Sequence, residues 1–253
     1  MSHRQVLWLA LHGQAFSGKD LACHILEASV RNDVGVIWGR FADPIYEMIR
    51  PLVPDAYSGM GKTAKELPRA ALGGLSVRQM SIAIGEGSRK YKDDVWVQIW
   101  NNRLQFHITR MLQQYTKVLV LVPDMRKHVE RDMFDYQSQL PNWLYSEEGA
   151  TAHGKVIHLK GVNKPVDGQQ NASTETPLVK RPLDIAVEND HKIPLEYFVA
   201  DLLTALAKSG LPTYTFELFF DPSKSLDTVA RTAKEAEAQE AYKYRKGEAY
   251  VSP

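Results

Sequence analysis

Residues 6–11 (VLWLAL) form an uninterrupted apolar run that stops at Gly13. A run of that length without polar alternation fits a strand buried on both faces. Residues 118–122 (VLVLV), preceded by Lys117 and closed by Pro123 and Asp124, are the clearest second case. Residues 36–41 (VIWGRF) predict another strand, ending at Ala42-Asp43-Pro44, and 156–159 and 185–187 predict two short ones. Helical spacing fills the intervals. Leu21, Ala22, Ile25, Leu26 and Val30 share one face, and a short helix over 45–49 stops before Pro51. Ser76 and Gln79 have the spacing of a capping box, followed by Val77, Met80, Ser81 and Ile84. Asp93 and Asp94 can cap the next helix, whose apolar positions run Trp96, Ile99, Trp100, Leu104, Ile108, Met111, Leu112. Residues 126–136 look helical, and 137–154 look flexible. Residues 194–206 give the strongest helix, opened by Pro194 and ended by Gly210.

Strands alternating with helices imply an α/β fold with a parallel sheet. The expectation is a five-stranded, mostly parallel sheet with flanking helices over residues 1–220, interrupted by a helical insertion at about 51–115. The tail, 221–253, is rich in Ala, Glu and Lys and is either an exposed helix or disordered.

Composition narrows the function classes. The 253-residue chain carries 31 basic and 30 acidic residues, so no electrostatic surplus is present to hold a nucleic-acid backbone, and duplex binding is not expected. Its single cysteine, Cys23, excludes an internal disulfide and a cysteine-based zinc site and fits a reducing cytoplasm. No apolar run reaches membrane-spanning length. The short apolar N-terminal stretch lacks a cleavage site, so no signal peptide is expected. The histidines show no metal-binding pairing, and no nucleophile elbow is present.

The chemistry sits after the first strand. Gly13-Gln14-Ala15-Phe16-Ser17-Gly18-Lys19-Asp20 has the form G-x-x-x-x-G-K. Such a loop curls its backbone N–H groups inward at phosphate oxygens, and the following helix adds the positive end of its dipole. Lys19 reaches the β- and γ-phosphates. The position usually held by Ser or Thr, whose hydroxyl binds Mg²⁺, is Asp20. Its carboxylate either holds the metal or caps the helix. Asp124, at the carboxyl end of the VLVLV strand, lies where such sheets bind ligands; it orients Mg²⁺, caps the next helix, or does both.

Several segments together, GQAFSGKD, FADPIYEMI, SVRQMSIAIGEGSRKYKDDVWVQIW, VLVLVPDMRKHVERDMF, VIHLKG and STETPLVKRPLDIAVENDHKIPLEYFVADLL, span about 6–206. In that order they resemble the bacteriophage deoxynucleoside monophosphate kinases. The resemblance implies a phosphate-loop kinase fold with ATP as phosphoryl donor, Mg²⁺, and a deoxynucleoside 5′-monophosphate as acceptor. It further implies a role in supplying DNA precursors during phage replication, and a homodimer. On this reading Gly13, Ala15, Ser17, Gly18, Lys19 and Asp20 hold the ATP phosphates, and Asp20 and Asp124 organise Mg²⁺. Arg78 and Arg89 bind the acceptor phosphate, and Asp43 and Trp96 contact its sugar or base. Lys19 with Arg126 or Arg131 closes on the transferring phosphoryl. Arg78 and Arg89 would stand about 16 Å apart on a straight helix, so Gly85 and Gly87 are expected to break it and fold Arg89 back. Rival readings are another small-molecule phosphate-loop kinase, a kinase of hydroxymethylated bases in DNA, and a non-catalytic nucleotide switch.

Overall fold

The computed structural model describes residues 4–14, 17–57, 59–60, 62–139, 151–161, 178–190 and 192–245. Strands β1 (Gln5–His12), β2 (Val34–Trp38), β3 (Lys117–Val122), β4 (Thr151–Gly161) and β5 (Ile185–Asn189) form one sheet in the order β2-β3-β1-β4-β5, every pair parallel. The helices are α1 (Lys19–Ser29), α2 (Asp43–Ile49), α3 (Lys62–Glu66), α4 (Val77–Arg89), α5 (Val95–Leu112), α6 (His128–Gln139), α7 (Leu195–Ala207), α8 (Thr213–Phe219) and α9 (Leu226–Arg245). The chain leaves β1 toward β2 on one side, and the β3–β4 connection later crosses to the other. The carboxyl end of β1 is therefore the point where the winding reverses, which is where sheets of this kind open a crevice.

Strand alternation divides the core. Leu7, Leu9 and Leu11 of β1 pack with Cys23, Ile25 and Leu26 of α1, with α7, and with Val229, Ala230 and Ala233 of α9. Val6, Trp8 and Ala10 face the other way, onto Trp100, Leu104 and Ile108 of α5 and Phe134 of α6. The tail thus contains a helix that covers α1 and α7; residues 246–253 lie outside the described residues. A smaller cluster, built on Tyr46, Ile49, Val53, Tyr57, Leu72 and Val77, gives the insertion its own apolar support.

The elements depart from the sequence reading in instructive places. β2 stops at Trp38 because Gly39 and Arg40 turn: Gly39 N–H donates to Leu121 O, Gly39 O accepts the Trp100 indole N–H, and Arg40 N–H goes to Asp43. The helix expected from Arg126 begins at His128, and β4 starts at Thr151 inside the stretch read as flexible. Asp94 is the N-cap of α5, but its side chain makes no capping bond there. The Ser76–Gln79 capping box is present in both directions. Helix α4 runs unbroken through Gly85 and Gly87, so the expected break is corrected. The glycine cost is offset by packing: a Cβ on Gly85 would sit 3.2 Å from Ile45 Cδ1, so glycine lets α2 and α4 approach closely.

Candidate functional site

The loop between β1 and α1 is shaped by two glycines. A Cβ on Gly13 would lie 2.5 Å from Ser17 Oγ and 2.6 Å from Leu159 O, so only glycine leaves the loop room to curl. Gly18 takes a left-handed conformation (φ 85°), which turns the chain into α1. Lys19 opens that helix, and its Nζ donates to Gly13 O and Gln14 O, each at 2.8 Å. The ammonium is thereby held over the loop. Ser17 is buried, and its hydroxyl has no partner among the described residues. Asn189, at the end of β5, donates its side-chain N–H to Ser17 O at 3.1 Å and ties the loop to the far side of the sheet. Ala15, also expected to hold phosphate, lies outside the described residues.

Three carboxylates fix the turn that follows β2. Asp124 Oδ1 accepts Phe41 N–H at 2.9 Å and Oδ2 accepts Ala42 N–H at 3.1 Å. Asp43 Oδ2 accepts Arg40 N–H at 3.3 Å. Asp20 Oδ1 takes a hydrogen bond from Arg40 Nη1 at 2.5 Å. Asp124 thus braces the β2 turn rather than capping α6; Glu130 Oε2 does that, accepting from Arg126 and Lys127 N–H. Asp20 makes its bond to Arg40, and the N-cap position of α1 belongs to Gly18. Burial would raise the Asp20 pKa, but the Arg40 guanidinium, aided by Lys19 and Lys65, holds it below the ordinary carboxylate value.

The insertion brings more positive charge to this turn. Lys65 of α3 lies 5.3 Å from the centroid of the Tyr46 ring. Burial first, then the charges of Arg40, Arg126 and Arg78, draw its pKa down to about 8, with Asp20 opposing. Arg78, in the first turn of α4, pairs with Glu66 at 3.3 Å. Arg126 is exposed, and its charge acts on Tyr46, Lys65 and His12. Arg89, at the other end of the unbroken α4, acts on Glu130 instead. Burial, then the negative charge of Asp124, pushes Glu130 up to about 7.

Two expected site residues are placed elsewhere. Trp96 is buried, and its indole N–H is committed to Gly85 O at 3.1 Å; it pins α5 to α4 and offers no ring to a sugar or base. Arg131 is buried between acids: Nη1 and Nη2 meet both oxygens of Asp184 at 2.9 and 2.8 Å, and Nε meets Asp135 at 2.9 Å. A guanidinium held on both edges cannot close over a phosphoryl group. His158 Nε2 also meets Asp184, at 2.9 Å, and Arg181 meets Asp135. His12, the residue before the loop, stands edge-on to His158 with ring centroids 5.1 Å apart. Its Nε2 accepts Leu178 N–H, so Nδ1 carries the proton and donates to Met125 O. Burial lowers the pKa of this ring, and the bond to Met125 only partly opposes the shift.

Sequence reasoning missed Arg40, Lys65, Glu130 and the Asn189 tether. Arg40 had a signal, a basic residue at the carboxyl end of a strand beside Asp43. Lys65 had none, because its place depends on how the insertion folds back. The residues present fit a phosphate-bound magnesium ion: an orphaned buried hydroxyl and a cradle that a Cβ would fill lie at the loop, with two carboxylates beside it. Among the described residues no group of three metal-ligating side chains occurs.

No protein-family model matches the sequence, and no curated protein matches it. Among solved structures, an unliganded sugar kinase from Janibacter sp. HTCC2649 aligns over 81% of this chain and 94% of its own, with 16% identity and a TM-score of 0.35. That similarity is too distant for its fold or substrate to be read across. Among the described residues no helix is long and apolar enough to cross a membrane.

Proposed function

We propose that the chain is a phosphate-loop kinase that moves the γ-phosphoryl group of ATP onto a deoxynucleoside 5′-monophosphate. The observation that carries this reading is the loop at the winding-reversal point of the sheet: the Gly13 cradle, the orphaned Ser17 hydroxyl, and Lys19 at the start of α1. Gly13 to Lys19 hold the donor's phosphates, with the positive end of the α1 dipole beside them. Asp20 and Asp124 would hold magnesium together with those phosphates, and the ion would supply charge neutralisation there. Lys19 and Arg126 stabilise charge as the phosphoryl group moves. The acceptor binds on the insertion side, near Arg78, with Asp43 at the turn below. An acceptor phosphate oxygen forms the new bond to phosphorus, the bond to the β–γ bridging oxygen breaks, and ADP leaves. That acceptor oxygen is already ionised, so no base need remove a proton.

A second reading, transfer to a hydroxyl group, draws on Glu130, a buried carboxyl raised to about 7 and therefore suited to accept a proton. One panel separates the two: ADP formation from ATP and Mg²⁺ with the deoxynucleoside monophosphates, their nucleosides, and simple sugars. Acceleration by monophosphates supports the first reading. Acceleration by nucleosides or sugars alone supports the second.

A further inference from the structure

We propose that His12, neutral and with its proton on Nδ1, is a positioning residue that sets where Arg126 stands beside the phosphate loop. The proposal rests on the reading of that loop as a holder of nucleotide phosphates. It adds a residue that acts through Arg126 rather than on a ligand. His12 is the last residue of β1 and immediately precedes Gly13. Its ring reaches two other parts of the chain. Nδ1 donates to Met125 O at 3.0 Å, between β3 and α6, and Nε2 accepts Leu178 N–H at 3.2 Å, in the segment before β5.

Met125 O and Arg126 N–H belong to one peptide plane, and in a trans peptide they point to opposite sides. His12 holds the oxygen from β1, and Glu130 of α6 holds the N–H at 2.6 Å. The plane that carries Arg126 is therefore gripped on both sides. Its neighbours are fixed as well: Asp124 accepts Phe41 and Ala42 N–H, and Lys127 N–H donates to Glu130. The Arg126 charge acts on His12 beside the loop and on Tyr46 and Lys65 of the insertion side.

A single form of the ring serves both partners, because it must donate at Nδ1 and accept at Nε2. An imidazolium has no acceptor and would set its own N–H against that of Leu178. The surroundings favour the neutral ring. Burial chiefly, with the charges of His158, Lys19 and Arg126, lowers its pKa against the opposing bond to Met125.

The test is equilibrium binding of ATP with Mg²⁺ to the full chain, with no acceptor present, so it needs no turnover. Arg126→Met should weaken ATP by about tenfold. His12→Gln sets its amide near the Nε2 position, serves Leu178 N–H but not Met125 O, and should weaken ATP by about fivefold. His12→Asn sets its amide near the Nδ1 position, still donates to Met125 O, and should stay within about twofold of wild type. Adding His12→Gln to Arg126→Met should cost nothing further. A role confined to fastening Leu178 predicts the opposite order, with Asn weaker than Gln, and that order overturns the proposal. So does an additive loss in the double variant. Nitrogen NMR of labelled histidine in the wild type needs no variant to fold: it should show His12 protonated on Nδ1 and bare on Nε2, and the reverse overturns the proposal. ATP binding with this coupling but no phosphoryl transfer to any acceptor leaves the proposal standing and removes the kinase reading. No ATP binding removes both.

Discussion

Two groups of charged side chains crowd the carboxyl end of the sheet, and they are built on opposite principles. Around Asp184, each charge has met its opposite. Arg131 lies between Asp184 and Asp135, Arg181 reaches Asp135 and Asp132, and His158 completes the set. Near the loop, the charges of Arg40, Arg126 and Arg78 all act on Lys65, with Arg40 also bonded to Asp20 and Arg78 to Glu66. The first group joins α6 to the segment before β5 and has little left to offer a ligand. The second places several cations on one lysine, close to the loop between β1 and α1. Buried charge alone does not mark a site; the balance of that charge does.

Each side of the comparison can be broken separately. The largest effect belongs to Lys19→Ala, which should lower phosphoryl transfer by about a hundredfold or more while leaving the circular dichroism spectrum unchanged. Arg131→Met should do the reverse. It removes the buried cation between Asp184 and Asp135, leaving them to His158 and Arg181, and should cost about 3 kcal/mol in urea unfolding, while the affinity for monophosphate stays within about twofold. Asn189→Ala lies between the two. It removes one buried hydrogen bond to Ser17 O, costing about 1 kcal/mol, and should raise the KM for ATP more than the KM for the acceptor.

The smallest effect is one of pH. Burial would raise the Asp184 carboxyl, but bonds from Arg131, Arg181 N–H and His158 hold it at about 2, below the ordinary value of 3.8. A carboxyl lowered by folding stabilises the native state above its unfolded pKa. The Asp184 contribution should be complete above about pH 4 and be lost as pH falls toward about 2. Acid unfolding of Asp184→Asn should show a flatter dependence across that window.

The fold was far more legible in the sequence than the site. Continuous apolar runs have few alternatives to a doubly covered strand, so the runs 6–11 and 118–122 marked β1 and β3 directly. The edge of β2 was misjudged because Gly39 and Arg40 leave the strand to serve the turn, a decision made by Leu121 and Trp100 far along the chain and by nearby Asp43. At the site, Lys19 could be read because its role is set by six neighbouring residues. Arg131 and Trp96 had suitable chemistry but were claimed by partners 53 and 11 residues away. Gly85 and Gly87 suggested a broken helix because propensity was weighed without the close approach of Ile45.

Monophosphate phosphorylation is read by following a labelled γ-phosphoryl group from ATP, with Mg²⁺ and each deoxynucleoside monophosphate in turn, and separating the products. Label should appear in a deoxynucleoside diphosphate for at least one acceptor, with Lys19→Ala abolishing it. Label found only in inorganic phosphate, or left in ATP for every acceptor, would contradict it.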